Sequence, residues 1–331
     1  MSRFGMAIIG TGMAAAPHAQ ALQELADRVE VRGVYSRDPD KRSAFAERFG
    51  FPVAPSIEAL AADDRLDAVI LITPPNARVA LARSFAGAGK HILSEKPLER
   101  TTEAAQEIVS ICRQSKVQLG AVFQHRVRAA SVALKQAIAT GALGRIGLVR
   151  ASVPWWREQG YYDEPGRGTY ERDGGGVLIS QAIHTLDLMM HLAGPVTTVQ
   201  AMAATTPFHD MEAEDFVAGA MRFENGASGA VMATTASFPG DAESITIDGE
   251  KGSAHLQSGT LTLRWRDGRV ETVGEPAGTG GGADPMAFPH DWHRDLIAGF
   301  VDAVRADRQP VASGREALRV HRLIDALVRS S

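Results

Sequence analysis

The chain has 331 residues, 44% of them hydrophobic, a formal net charge of -4 and one cysteine, Cys112. That length exceeds what one hydrophobic core normally serves, so two domains are expected. The slightly acidic balance leaves no global basic field for nucleic acid, and a lone cysteine excludes an internal disulfide framework and fits a reducing cytoplasm.

The chain enters a strand pattern at once, without the basic and apolar regions of an export signal. Its apolar runs fall well short of the about 18 residues that span a bilayer, so a cytoplasmic protein without membrane contact is expected. Residues 4–9 are nearly all apolar, as in a strand buried on both faces. They run into Gly10-Thr11-Gly12-Met13-Ala14-Ala15 and an Ala-rich helical stretch. This G-x-G-x-x-A turn between strand and helix suits a dinucleotide: Gly10 for the tight turn, Gly12 for close approach of a pyrophosphate, Ala15 for helix–strand packing. A second strand, 29–35, ends at Ser36-Arg37. NAD-preferring folds usually place an acidic residue there for the ribose hydroxyls, whereas a guanidinium pairs with a 2′-phosphate. NADP is therefore expected, with NAD as the alternative. Asp38-Pro39 reads as a helix cap followed by Pro at the first helical position.

Residues 67–72 form another buried strand and end in Thr73-Pro74-Pro75-Asn76, an extended turn suited to lining the cofactor channel, with Asn76 capping a helix at 77–86. Residues 91–94 read as the fifth strand of the parallel sheet. They end at Glu95-Lys96-Pro97, about 85 residues after the glycine turn. Ligands of such sheets sit beyond the carboxyl ends of the strands, so Lys96 is placed to meet the reactive end of a cofactor and substrate. A helix at 102–114 and a sixth strand at 117–123 complete an N-terminal domain of residues 1–122. The cofactor-binding candidates are Gly10, Thr11, Gly12, Met13, Ser36, Arg37, Thr73, Pro74, Asn76, Glu95 and Lys96.

Residues 123–331 change character. Residues 155–170, broken by Gly160, Pro165, Gly166 and Gly168, read as a loop that holds Trp155, Trp156, Tyr161, Tyr162 and Tyr170, with Arg157, Arg167 and Arg172 nearby. Ring faces with interleaved donors suit a polyhydroxy ligand, and equally a lid or subunit contact. A helix at 177–192 follows Gly174-Gly175-Gly176. Period-2 runs at 196–204, 216–223, 227–235, 244–247 and 260–265, with turns such as Asn225-Gly226, read as an antiparallel meander. A glycine-rich segment at 274–282 precedes two closing helices. A sheet covered by helices on one face needs its other face covered too, and a homo-oligomer does that.

Four features together resemble the glucose–fructose oxidoreductase / inositol dehydrogenase / rhizopine-catabolism (Gfo/Idh/MocA) family. They are the Gly10/Gly12/Ala15 turn, the Thr73-Pro74-Pro75-Asn76 turn, Glu95-Lys96-Pro97, and Gly174-Gly175-Gly176 leading through Ser180-Gln181 to His184 and Asp187. The resemblance implies an α/β protein with an N-terminal Rossmann dinucleotide-binding domain and a C-terminal α/β domain with an open, predominantly antiparallel sheet. It implies oxidation or reduction at a secondary hydroxyl or ketone of a sugar, sugar derivative or cyclitol, and a homodimer or homotetramer. Lys96 and His184 are then the catalytic residues: the lysine steadies the developing alkoxide and the histidine exchanges a proton near neutral pH. Substrate contacts fall to Lys96, Gln124, Arg126, Trp155, Arg167, Ser180, Gln181 and His184. Many relatives carry Asp where this chain has Ser180, so inositol dehydrogenase proper is not implied. No metal is expected. His184, Asp187 and His191 share a helix face, and His290 and His293 lie close in sequence, but neither set completes a ligand shell. Two alternatives stay open: a cofactor-binding regulator that has lost catalysis, and a sugar–sugar oxidoreductase that never releases its cofactor.

Overall fold

The structure, a computed structural model, describes residues 2–276 and 289–330. The chain divides into two compact units, Met1–Gln124 with His290–Leu318, and His125–Pro289 with Arg319–Ser331.

In the first unit β1 (Phe4–Ile9) is buried at every position, hence its continuous apolar run. It is followed by α1 (Ala15–Glu24), β2 (Val29–Tyr35), α2 (Pro39–Phe49), α3 (Ile57–Ala61), β3 (Ala68–Leu71), a 3-10 turn Pro75–Ala77, α4 (Arg78–Gly87), β4 (His91–Ser94), α5 (Thr102–Gln114) and β5 (Leu119–Ala121). The strands are all parallel, in the order β2-β1-β3-β4-β5. The strand before Lys96 is thus the fourth, not the fifth. The chain between α2 and α3 makes only an isolated bridge, Val34 to Val53. Pro52 has no N–H to extend a ladder, and Ser56 already caps α3. Phe85, Leu71, Ile92 and Ile108 centre the core beneath the sheet.

The second unit runs through α6 (Ala129–Ala139), β6 (Ile146–Pro154), the short α7 (Gln159–Tyr162), a π turn Leu178–Ala182, α8 (Ile183–Ala193), β7 (Val196–Ala204), β8 (Phe216–Phe223), β9 (Ser228–Thr234), β10 (Ser244–Gly249), β11 (Gly252–Gln257), β12 (Thr260–Trp265) and β13 (Val270–Val273). Eight strands form one sheet, β13-β12-β11-β10-β6-β9-β8-β7. All neighbours are antiparallel except β6 and β9. The expected meander is therefore two antiparallel ribbons joined through one parallel pair. Val149, Val153, Val217 and Ile247 point inward and are fully buried, on the face packed by α8. The other face shows Met202, 59% exposed, beside Ala218 and Met232 in one cross-strand row. The segment at 155–170 is not all loop, since α7 lies in it. Residues 277–282 of the glycine-rich segment lie outside the described residues. The chain ends in α9 (Asp291–Arg305) and α10 (Gly314–Arg329). Among the described residues no helix is long and apolar enough to cross a membrane.

Candidate active site

Gly10 sits at φ 107, and a Cβ there would lie 2.8 Å from the carbonyl carbon of Ile72. The turn and the end of β3 touch, so only glycine fits. At Gly12 an added Cβ would meet nothing within 4 Å, so the space beside this residue is open. Ala15 is fully buried. The first turn of α1 has no side-chain cap, which leaves its N–H groups and dipole to an anion. Thr11 is half-buried and Met13 is 65% exposed. At the end of β2, Ser36 is half-buried and Arg37 exposed; among the described residues Arg37 makes no ion pair. Asp38 is engaged as the α2 cap, accepting from the N–H of Asp40 and of Lys41 at 3.1 and 3.0 Å.

Glu95 follows β4 and is buried. Its Oε1 meets His18 Nε2 at 2.8 Å, and its Oε2 accepts the Lys96 N–H at 3.0 Å. Burial alone would raise the Glu95 pKa, but the His18 hydrogen bond and the nearby His18, His293 and Lys96 charges pull it down to about 2. His293 packs edge-on to His18, ring centroids 4.7 Å apart, and burial lowers its pKa to about 3. His18, Glu95 and His293 bring three ligand-type atoms within 4.8 Å. Metal-bound histidines donate their second ring nitrogen to a partner, and His18 Nδ1 has none among the described residues. The cluster fits a hydrogen-bonded carboxylate better than a cation. Lys96 itself is half-buried, and the Lys96–Pro97 peptide is cis.

Thr73 is half-buried, while Pro74 and Asn76 are exposed. Asn76 does not cap α4. The prolines drive a 3-10 turn, and Ala77, with no side-chain bond, precedes the helix. Arg78 is buried; its Nε and Nη2 donate to the Thr73 carbonyl at 3.0 and 2.7 Å, and its Nη1 to the carbonyls of Glu95 and Pro97. Gln124 is buried, and its Oε1 has no partner among the described residues.

In the second unit a Cβ on Gly176 would stand 1.8 Å from the Glu214 carbonyl oxygen. That close approach lets the Glu214 carboxylate accept from the N–H groups of Gly176 and Leu178 at 3.1 and 3.2 Å. Burial raises the Glu214 pKa. The π turn so anchored carries Ser180, half-buried, and Gln181, buried; π turns often mark functional positions. His184, half-buried in the first turn of α8, stacks on His125 with ring centroids 4.8 Å apart. Arg126 Nε and Nη2 donate to the two Asp187 oxygens, each at 2.7 Å. Both side chains are sealed, 2% and 0% exposed. The expected substrate contact at Arg126 therefore gives way to a structural pairing, and Asp187 is committed to that pairing rather than to a metal.

Tyr161 gathers the aromatic segment. Its hydroxyl accepts from Arg167 Nη1 at 2.9 Å and Gln181 Nε2 at 3.3 Å. The Arg167 guanidinium lies 4.3 Å over its ring. Trp155 is buried with Arg157 5.3 Å over its ring. The Trp155 Nε1 and the Gln181 Oε1 have no partner among the described residues. Behind this layer His209 donates from Nε2 to the Arg157 carbonyl at 2.8 Å and meets Asp215 Oδ2 at 2.7 Å. Sequence reading named Trp155, Arg167 and Gln181 but not Tyr161, Arg78, His18, His125 or Glu214 as site residues. Only Tyr161 left a signal, as one member of the aromatic set.

A parallel sheet with this glycine turn is a dinucleotide-binding fold, and here it is followed by a second unit built on a broad mixed sheet. Residues 4–123 match the oxidoreductase family with an NAD-binding Rossmann fold, and residues 131–255 the GFO/IDH/MocA C-terminal domain. The chain belongs to the Gfo/Idh/MocA family. It is similar to the WlbA dehydrogenase from Bordetella pertussis, solved with NADH and UDP-GlcNAcA: 31% identity over 99% of this chain and 96% of that one, TM-score 0.82. The inositol 2-dehydrogenase of Rhizobium meliloti (strain 1021) is 25% identical over 99% of this chain and 96% of its own length. A D-xylose 1-dehydrogenase (NADP(+)) of Haloferax volcanii is 26% identical over 91% and 90%.

Proposed function

We propose that this enzyme moves hydride between a nicotinamide cofactor, NADP in preference to NAD, and a secondary hydroxyl or ketone of a sugar, sugar derivative or cyclitol. Residues 1–122 bind the dinucleotide, with 290–318 packed into the same compact unit, and the rest of residues 123–331 binds substrate and a second copy of the chain.

The observation that supports the polyhydroxy substrate is that two buried polar atoms of the second unit, Trp155 Nε1 and Gln181 Oε1, have no partner among the described residues. An orphaned buried donor or acceptor costs about 1–3 kcal/mol. Trp155 Nε1 donates and Gln181 Oε1 accepts, and a ligand hydroxyl does both. The relatives named for inositol and D-xylose point to the same class. The cofactor, when bound, supplies the hydride acceptor or donor. Lys96 donates a hydrogen bond to the reacting oxygen and favours its alkoxide form. His184 takes or returns the hydroxyl proton, and Ser180 holds a neighbouring hydroxyl. Arg37, exposed at the end of β2, supports NADP. The relatives leave both cofactors in play, since one is solved with NADH and another is named for NADP. A homodimer or homotetramer is supported by the open sheet face around Met202, Ala218 and Met232.

The test is a nicotinamide-fluorescence titration with NADPH and NADH, then turnover with pyranoses, their uronic acids and cyclitols. Lys96→Met and His184→Asn should each lower kcat by about 100-fold or more while cofactor affinity stays within a few-fold. Wild-type turnover in either variant would overturn that residue's role. Arg37→Ala should weaken NADPH far more than NADH; equal losses would remove the NADP preference.

A further inference from the structure

We propose that Arg78 is a positioning residue that fixes the backbone on both sides of Lys96, an inference that rests on the catalytic reading of Lys96 above. The strand ladder stops short of the lysine: its last bonds run from the Glu95 N–H to the Leu71 carbonyl at 2.9 Å and from the Val122 N–H to the Ser94 carbonyl at 2.8 Å. Beyond that point the two carbonyls flanking Lys96, those of Glu95 and Pro97, are both taken by Arg78 Nη1. The other side of the same guanidinium holds the Thr73 carbonyl, just past β3, through Nε and Nη2. The Lys96 N–H is held as well, and Glu95 Oε2 accepts it at 3.0 Å. Side chains therefore supply here the constraint that sheet bonds supply earlier in β4.

The choice of arginine follows from geometry. A planar guanidinium offers donors on two edges in a fixed fork, so one side chain ties three carbonyls from two segments. Lysine has a point charge on a flexible stem and cannot hold all three. Burying a cation against neutral carbonyls is costly; burial lowers the Arg78 pKa to about 10, with the Glu95 and Glu99 carboxylates acting against that fall. At neutral pH the charge persists, and all five donor positions face inward, since the residue is 3% exposed. Arg78 does not reach the reacting atoms. It sets where the Lys96 side chain starts, and a displacement of about 1 Å at such a group costs on the order of 100-fold in rate.

The experiment uses Arg78→Lys and Arg78→Gln in the full chain with saturating cofactor. Expected is a 30- to 100-fold fall in kcat, with NADPH affinity within 3-fold and an unchanged binding stoichiometry, which reports the folded fraction. A merely structural role would lower that stoichiometry instead. In a Lys96→Met background, Arg78→Lys should cost less than about 3-fold, because there is no lysine left to position. Losses that multiply across the two sites, or an Arg78→Lys enzyme with wild-type kcat, would overturn the inference. Full activity in Lys96→Met alone would instead overturn the reading on which it rests. If neither Arg78 variant folds, proton exchange at the Arg78 guanidinium in the wild-type holoenzyme decides: slow exchange of its Nε and Nη1 protons supports the clamp, and exchange at the rate of a solvent-exposed arginine refutes it.

Discussion

Replacing Asp187 with asparagine tests how α8, and with it His184, is held. The Arg126 guanidinium meets both Asp187 oxygens at 2.7 Å, and the two side chains are 2% and 0% exposed. The substitution removes the counter-charge while the guanidinium stays buried. Breaking such a pair from one side costs about 3–5 kcal/mol, whereas replacing both partners by apolar residues of similar volume is often neutral or better. At about 2–4 °C per kcal/mol for a unit of this size, Asp187→Asn should lower Tm by about 6–20 °C. The pair Arg126→Met with Asp187→Leu should recover most of that loss. Thermal and urea unfolding, followed by circular dichroism, measure both variants. Because His184 lies one turn before Asp187 on α8, kcat should fall in the single variant and return in the pair. A loss under about 1 kcal/mol in the single variant, or a pair less stable than the single, would refute the account.

Gly10→Ala and Gly12→Ala should separate fold from cofactor. The first forces a Cβ to 2.8 Å from Ile72 at a φ of 107 and should lower Tm. The second meets nothing within 4 Å and should leave Tm unchanged while weakening NADPH by about 10-fold or more; equal Tm losses would contradict this. Trp155→Phe removes an unpartnered buried donor, so it should leave stability unchanged or higher and raise the substrate KM by about 10-fold, one lost hydrogen bond; an unchanged KM would remove Trp155 from the site. His293 is kept neutral by burial, its pKa held at about 3 against about 6.5 unfolded. Between those values the unfolded chain binds more protons, so stability rises with pH and is lost on acidification. From pH 7 to 5 this amounts to about 2 kcal/mol. Glu95, held at about 2, adds a further loss only below its ordinary carboxylate range. His293→Gln should flatten Tm against pH between 5 and 7, and coincident slopes would show the histidine is not the cause.

What the sequence discloses depends on how far a residue's partners lie along the chain. The Gly10 turn is legible because its constraint is local in kind: a tight turn between strand and helix. The strands β7, β8 and β12 are readable to the residue because more and less exposed positions alternate over most of each. By contrast β13 is exposed at three of four positions and offers no such pattern. Arg126 looked like a substrate ligand because a cation follows the last strand of the first unit, while its carboxylate lies 61 positions on. Arg78 was missed for the same reason: a basic residue opening a helix is ordinarily solvated, and its acceptors at Thr73, Glu95 and Pro97 are unremarkable as letters. The π turn at Leu178–Ala182 depends on Glu214, 36 positions from the Leu178 N–H it accepts. Apart from Asp187, which closes the fourth motif, the groups that hold the candidate site residues in place are backbone carbonyls and a distant carboxylate, Glu214, which no short motif records. Substitutions at Arg78, Glu214 and Asp187 should therefore change catalysis although none of the three belongs to the cofactor turn or the lysine motif.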